Sequence, residues 1–242
     1  MLVTGGGRGI GRAIALRFAE AGARVFVNFF VNREAAEKTA RDVELAGGIA
    51  QLVQADVKEP DEVRRMFAEI REAAGRLDVL VNNAASGVLK NATELTAKHW
   101  DWVMATNARP ALLCGQEGAK LMAAGGRIIG LSSLGSHRVI PGYAAVGVSK
   151  AAAEAVTRYL AVELAPRGIT VNTVCAGAIE TDIWRAIPDG DRLLEAARSR
   201  TPSGALVTPE AIAEVVFFLA SPAAHSIQGQ IIVADGGYSL LA

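Results

Sequence analysis

Residues 1–11 read MLVTGGGRGIG, an apolar start followed at once by a glycine-rich turn. The pattern Thr4-Gly5-x-x-x-Gly9-x-Gly11 lies between a strand and an amphipathic helix predicted from about Ile10 to Ala21. Glycines at this spacing let the chain turn sharply, approach a pyrophosphate and pack the helix closely on a sheet, and the helix N-terminus then faces the anion. Thr4, Gly5, Arg8, Gly9, Ile10 and Gly11 are therefore the first candidate cofactor contacts. A strand commonly has about five or six residues, and Met1–Thr4 supplies fewer. The expectation is either a native start a few residues upstream or a first strand of half length.

Working outward, the same unit repeats. Strands are predicted over Arg24–Phe29, Ile49–Ala55, Asp78–Asn82, Ile169–Val174 and Gln230–Ala234, with another ending on Ser132 and Ser133. Helices are predicted over Arg33–Ala46, Glu59–Ala74, Thr96–Ala123, Tyr143–Ala165 and Thr208–Leu219. Such alternation means α/β: a doubly wound parallel sheet of about seven strands with helices on both faces, a single-domain Rossmann fold spanning residues 1–242. The segment at about 180–204 carries Trp184 among charged residues, and it reads either as a movable lid over a substrate or as a surface helix.

Composition narrows the partners. The 242 residues carry 25 basic and 25 acidic side chains, which argues against a nucleic-acid surface or a polybasic membrane surface. No apolar run approaches the length of a membrane span, and no signal sequence is evident, so a cytoplasmic protein is expected. Cys114 and Cys175 make no disulfide framework, and Cys175 has no neighbouring His to activate it. His99, His137 and His225 are scattered without metal-ligand spacing, so no metal site is expected.

The second strand ends in Asn28, Phe29, Phe30, Val31, Asn32 and Arg33, without the carboxylate that would bind an adenosine ribose 2′-hydroxyl. Arg8 and Arg33 would instead meet a 2′-phosphate, which favours NADPH over NADH; alternatively both are solvated arginines on exposed turns. Asp56-Val57 follows the third strand, either to bond an adenine amine or as a turn aspartate. Asn82-Asn83-Ala84-Ala85 ends the fourth, where small residues let a cofactor pass close. Gly177, Ile179 and Thr181 would meet the nicotinamide amide and phosphates.

The chemistry concentrates in Gly130–Lys150, GLSSLGSHRVIPGYAAVGVSK. A Ser (Ser133, or its neighbour Ser132), Tyr143 and Lys150 in that order point to proton transfer beside a reduced cofactor. The ammonium is expected to lower the phenol pKa so that the Tyr donates to an oxygen gaining charge. Asn107, polar among apolar neighbours on a predicted helix, needs partners. It would shape a kink and hold a relay water, or make a structural hydrogen bond.

Together these residues, with Asn172 and Asp235-Gly236-Gly237, resemble the short-chain dehydrogenase/reductase family over essentially the whole chain. That resemblance implies a nicotinamide-linked Rossmann fold, usually a homotetramer built on the two long helices. The nearest likeness is to the enoyl-acyl-carrier-protein reductase III type of bacterial fatty-acid synthesis. It is carried by NNAASGVL (82–89), SSLGS (132–136), GAIETD (177–182), GQIIVADGGYSLL (229–241) and a Tyr-x6-Lys spacing. Two positions depart from the broader family: Ala176 replaces a Pro, and Val146 replaces the Tyr that lies four residues before the Lys.

Seven helical residues turn through about 700°, which leaves Tyr143 and Lys150 within roughly 20° of one face, and the shift from 146 moves the Tyr root about 4.5 Å. In conjugate reduction the hydride lands on the β-carbon while charge develops on the thioester oxygen, so a displaced phenol suits an enolate. The expected reaction is NADPH-dependent reduction of a trans-2-enoyl thioester carried by acyl carrier protein or CoA. Tyr143 would meet the thioester oxygen, Lys150 the ribose, and Ser133 would position. Arg167 or Arg138 would meet an acidic carrier; Arg167 reads equally as a helix-end residue. The alternatives are a 3-oxoacyl-thioester or other carbonyl reductase, and a non-catalytic NADPH-binding scaffold.

Overall fold

The computed structural model describes residues 1–180 and 190–241. Within them, seven parallel strands form one sheet in the order β3-β2-β1-β4-β5-β6-β7. These are β1 (Leu2–Val3), β2 (Arg24–Phe29), β3 (Ile49–Gln54), β4 (Val79–Asn82), β5 (Arg127–Ser133), β6 (Thr170–Ala176) and β7 (Ile231–Ala234). The helices are α1 (Gly9–Ala19), α2 (Arg33–Leu45), α3 (Pro60–Ala74), α4 (Ala97–Asn107), α5 (Arg109–Lys120), α6 (Ala144–Leu164), α7 (Gly190–Arg200) and α8 (Pro209–Ala220). The expected doubly wound α/β Rossmann fold is the one observed.

Successive strand residues face opposite sides, and here both sides are covered. Val3, Val27, Val81, Ile129 and Val174 pack with Ile14 and Phe18 of α1 and Ile212 and Val216 of α8. Their neighbours Leu2, Phe26, Leu80, Ile128 and Val171 pack with Phe67 and Ile70 of α3, Cys114 of α5 and Leu160 of α6. Continuous apolar strands are what a sheet buried on both faces requires. β1 is only two residues long, yet Leu2 sits between Phe26 and Leu80, and Val3 between Val27 and Val81. Burying each such side chain contributes about 1.5–3 kcal/mol, so the short strand is held by its neighbours.

Two helix boundaries correct the sequence reading. The helix expected over Thr96–Ala123 is two helices that meet at Ala108. Pro110 lacks an N–H and its ring crowds the carbonyl four residues earlier, so it breaks a helix at this point and is tolerated at the start of α5. Tyr143 lies at the N-cap of α6, just outside the helix that carries Lys150.

α1 begins where backbones nearly touch. A Cβ on Gly11 would lie 2.5 Å from the Gly5 carbonyl oxygen and 2.6 Å from Asn83 Nδ2. Gly11→Ala is expected to cost roughly 1–3 kcal/mol of stability through overpacking, read as a lower urea midpoint with an unchanged slope. An unchanged midpoint would show that the turn yields without cost.

Candidate active site

The strand order reverses direction between β1 and β4, and ligands of open α/β sheets bind beyond the strand ends at such a switch point. Strand-end backbone groups here are satisfied by side chains. Thr4 Oγ1 accepts the N–H groups of Asn83 (2.9 Å) and Ala84 (3.0 Å), and Asn83 Nδ2 donates to the carbonyls of Thr4 (2.9 Å) and Gly5 (3.1 Å). Gly5 N donates to Asn28 Oδ1 (3.2 Å), and buried Asn28 donates onward to Val53 and Ala55. Asn28 and Asn83 thus fix the glycine turn, a role the sequence reading missed. The available signal was a polar amide at the end of an apolar strand, which must find partners.

This turn fits a dinucleotide. Gly9 has φ +53° and open space where a Cβ would be. Asn82 Oδ1 is buried and accepts no hydrogen bond among the described residues. Arg8 is exposed at the N-cap of α1. Arg33 bonds Gln54 of β3 (3.2 Å) and stacks over Phe29. Ile10, Val57 and Ile179 turn their side chains into the cores, and the Ile179 backbone bridges to Val207. Gly177 packs its α-carbon against Asp235, and Thr181 lies outside the described residues. Asp56 takes the turn reading: it accepts from Lys58 N (3.1 Å) and pairs with Lys58 Nζ (2.6 Å).

β5 brings the reactive side chains together. Ser133 Oγ and Tyr143 Oη lie 3.3 Å apart, while Lys150 Nζ donates to the Leu131 carbonyl at 2.8 Å. The two side chains dock two residues apart on one strand, about 6–7 Å. Burial pushes the Tyr143 phenol up, against a lowering from Ser133. Burial lowers Lys150 to about 8, against a raising from Glu154. The expectation that Lys150 lowers the Tyr143 pKa is therefore overturned, because desolvation dominates. Ser132 points away, toward Glu154 on α6, which leaves Ser133 as the site serine.

The family's tyrosine position is closed. Val146 is buried with Val103 and Ala145, and Val88, Leu95 and Tyr143 pack against them. A Cβ on Gly87 would lie 2.3 Å from Val146 Cγ2. Asn107 holds that same loop: its Oδ1 accepts from Ser86 N (2.9 Å), and its Nδ2 donates to Ser86 O (2.8 Å) and Ser149 Oγ (3.0 Å). With both amide hydrogens engaged, the Asn107 side chain makes structural hydrogen bonds and positions the loop, at the break between α4 and α5 where a kink was expected.

The basic residues considered for an acidic carrier are engaged with backbone. Arg167 donates to the carbonyls of Ala119 (2.6 Å) and Met122 (3.2 Å) at the end of α5, the helix-end reading, and Arg138 donates to Ser239 O. Burial pushes both the Cys114 and Cys175 thiols up to about 12, so neither is an activated nucleophile. Among the described residues, His137, Glu154 and Cys175 hold donor atoms within 4.8 Å of one another. The expectation of no metal site had rested on the spacing of His99, His137 and His225 alone. No described helix is long and apolar enough to cross a membrane.

Residues 5–239 match the family model for Enoyl-(Acyl carrier protein) reductase. A 1-cyclohexenylcarbonyl-CoA reductase of Streptomyces collinus is 43% identical over 243 residues, covering 100% of this chain and 87% of the relative. A versicolorin reductase of Emericella nidulans is 38% identical, with 98% and 94% covered. A short-chain dehydrogenase of Burkholderia cenocepacia, solved in complex with NADP, superposes with TM-score 0.92 at 36% identity, covering 98% of this chain and 96% of that one. Sequence and backbone agree along nearly the full length, and the chain belongs to the short-chain dehydrogenase/reductase family.

Proposed function

We propose that this reductase uses NADPH to reduce the α,β double bond of a trans-2-enoyl thioester. The observation that carries the reading is the Ser133–Tyr143 hydroxyl pair on β5, reached by a tyrosine at the N-cap of α6 while Val146 stays buried. The likeness to an enoyl reductase family model and to a CoA-thioester reductase supports it. With Arg167 and Arg138 engaged elsewhere, a CoA thioester is the favoured substrate over one on acyl carrier protein.

NADPH, when bound, supplies the hydride for the β-carbon. The glycine turn would hold its pyrophosphate, Arg8 and Arg33 its 2′-phosphate, and Lys150 its nicotinamide ribose. Tyr143 would donate a hydrogen bond to the thioester oxygen as enolate charge grows there. A phenol whose pKa is raised by burial stays protonated near neutrality, so it is a permanent donor. Ser133 orients that hydroxyl. α7 would cover the acyl group, while residues 181–189 of the segment expected as a lid lie outside the described residues. Exposed Leu112 on α5 and Tyr159 and Val162 on α6 support assembly into a homotetramer through these helices.

Three outcomes test this. Purified enzyme is expected to oxidise NADPH with crotonyl-CoA and not with acetoacetyl-CoA; turnover of the oxo substrate alone would make it a carbonyl reductase. Tyr143→Phe is expected to lose roughly 10²–10³-fold in kcat, the cost of one donor to a developing oxyanion, at unchanged NADPH affinity. A scaffold would show no turnover in the parent either. Because Lys150 titrates at about 8, its charge is present below that pH and lost above it. NADPH affinity is therefore expected to weaken as pH rises through about 8, whereas Lys150→Met binds weakly and shows no such step.

A further inference from the structure

On the α6 side of the sheet, behind the Ser133–Tyr143 pair, three donors from three separate elements converge. His137 follows the short turn after β5, Glu154 lies one helical turn beyond Lys150 on α6, and Cys175 is near the end of β6. Their ligand atoms all lie within 4.8 Å of one another. A tetrahedral ion bound at about 2.0–2.3 Å to N, O and S holds its ligands about 3.3–3.8 Å apart. The remaining approach is within the reach of an exposed imidazole and a carboxylate rotamer.

The surroundings complete the set. His137 Nδ1 lies 3.1 Å from Ser136 Oγ, a contact that orients the ring. Ser132 Oγ donates to Glu154 Oε1, which orients the carboxylate. Metal-binding His and carboxylate ligands are held in this way by outer partners. Glu154 and Cys175 are buried and His137 is exposed, so the group has a buried floor and reaches the surface at the imidazole. One thiolate, one imidazole and one carboxylate make a borderline-soft donor set, which suits zinc with a fourth position open.

We propose that His137, Glu154 and Cys175 bind one zinc ion and that its binding switches the reductase off. On binding, the Cys175 S–H bond breaks, the S–Zn bond forms and the proton leaves to solvent. With the Cys175 thiolate and the Glu154 carboxylate as ligands the site goes from one negative charge to none, a net gain of one positive charge beside the Lys150 ammonium, one turn away on α6. That charge opposes Lys150 in the role Proposed function gives it, and inhibition rests on that reading while binding does not.

Cobalt serves as the spectroscopic probe and zinc as the inhibitor, on the full chain. Co²⁺ is expected to give tetrahedral visible bands and a thiolate charge-transfer band at one ion per chain, absent in Cys175→Ser. His137→Ala, a surface change that leaves the core intact, is expected to weaken zinc at least tenfold, which also covers the case where Cys175→Ser fails to fold. Zinc is expected to inhibit NADPH oxidation reversibly, with EDTA restoring it and His137→Ala raising the inhibitory concentration at least tenfold. Absence of the thiolate band, or equal zinc affinity in the parent and His137→Ala, overturns the site. Binding without inhibition overturns the switch. Failure of every thioester as substrate leaves the binding result standing and falls on the proposed reaction instead.

Discussion

Parallel strands end in backbone groups that no following hairpin can satisfy, and the whole site is arranged around how this chain meets that constraint. Beyond β1 and β4 the partners are side chains: Thr4, Asn28 and Asn83 take up the open amides and carbonyls. A buried polar group left unpaired costs about 1–3 kcal/mol, so these bonds fix the path of the glycine turn within narrow limits. They tie it to β2, β3 and β4 at once. The place where phosphates would meet the start of α1 is therefore set by the sheet interior and not by the exposed loop.

β5 plays the same organising part on the other side of the switch point. Its Leu131 carbonyl holds the Lys150 ammonium and its Ser133 hydroxyl holds Tyr143. The spacing between lysine and tyrosine is thus measured along a strand as well as along a helix. Angular arithmetic on a helix puts both side chains on one face, but Tyr143 is the residue before the helix, and its ring lies against Gly135. Burial then governs both titrations in opposite senses, toward a neutral phenol and away from a charged amine.

Much of the fold was legible because apolar runs bounded by glycines and charged helices leave few arrangements open. The alternation of strand and helix gave the sheet, and the glycine spacing gave its first turn. The break at Ala108 was legible too, from Pro110, but a long amphipathic stretch masks a local backbone effect. The site was harder. Ser133, Tyr143 and Lys150 were visible from their order, and the turn role of Asp56 from its local pattern, whereas the loop-holding role of Asn107 depended on Ser86, a partner that no pattern links to it. The convergence of His137, Glu154 and Cys175 is a property of the folded crossing of β5, α6 and β6, and residues so far apart in sequence carry no spacing rule.

The contact between Gly87 and Val146 has a consequence for how such a site changes over generations. The two positions share one small volume, so their substitutions are not independent: a side chain at 87 is acceptable only if 146 shrinks, and a larger residue at 146 requires the loop around 87 to move. A chain that carries glycine and valine here does not take the family's more common tyrosine at 146 by a single substitution without disturbing the loop that Asn107 holds. The displaced tyrosine is in that sense locked in by its neighbours, an epistatic ratchet made of one missing methyl group and one isopropyl.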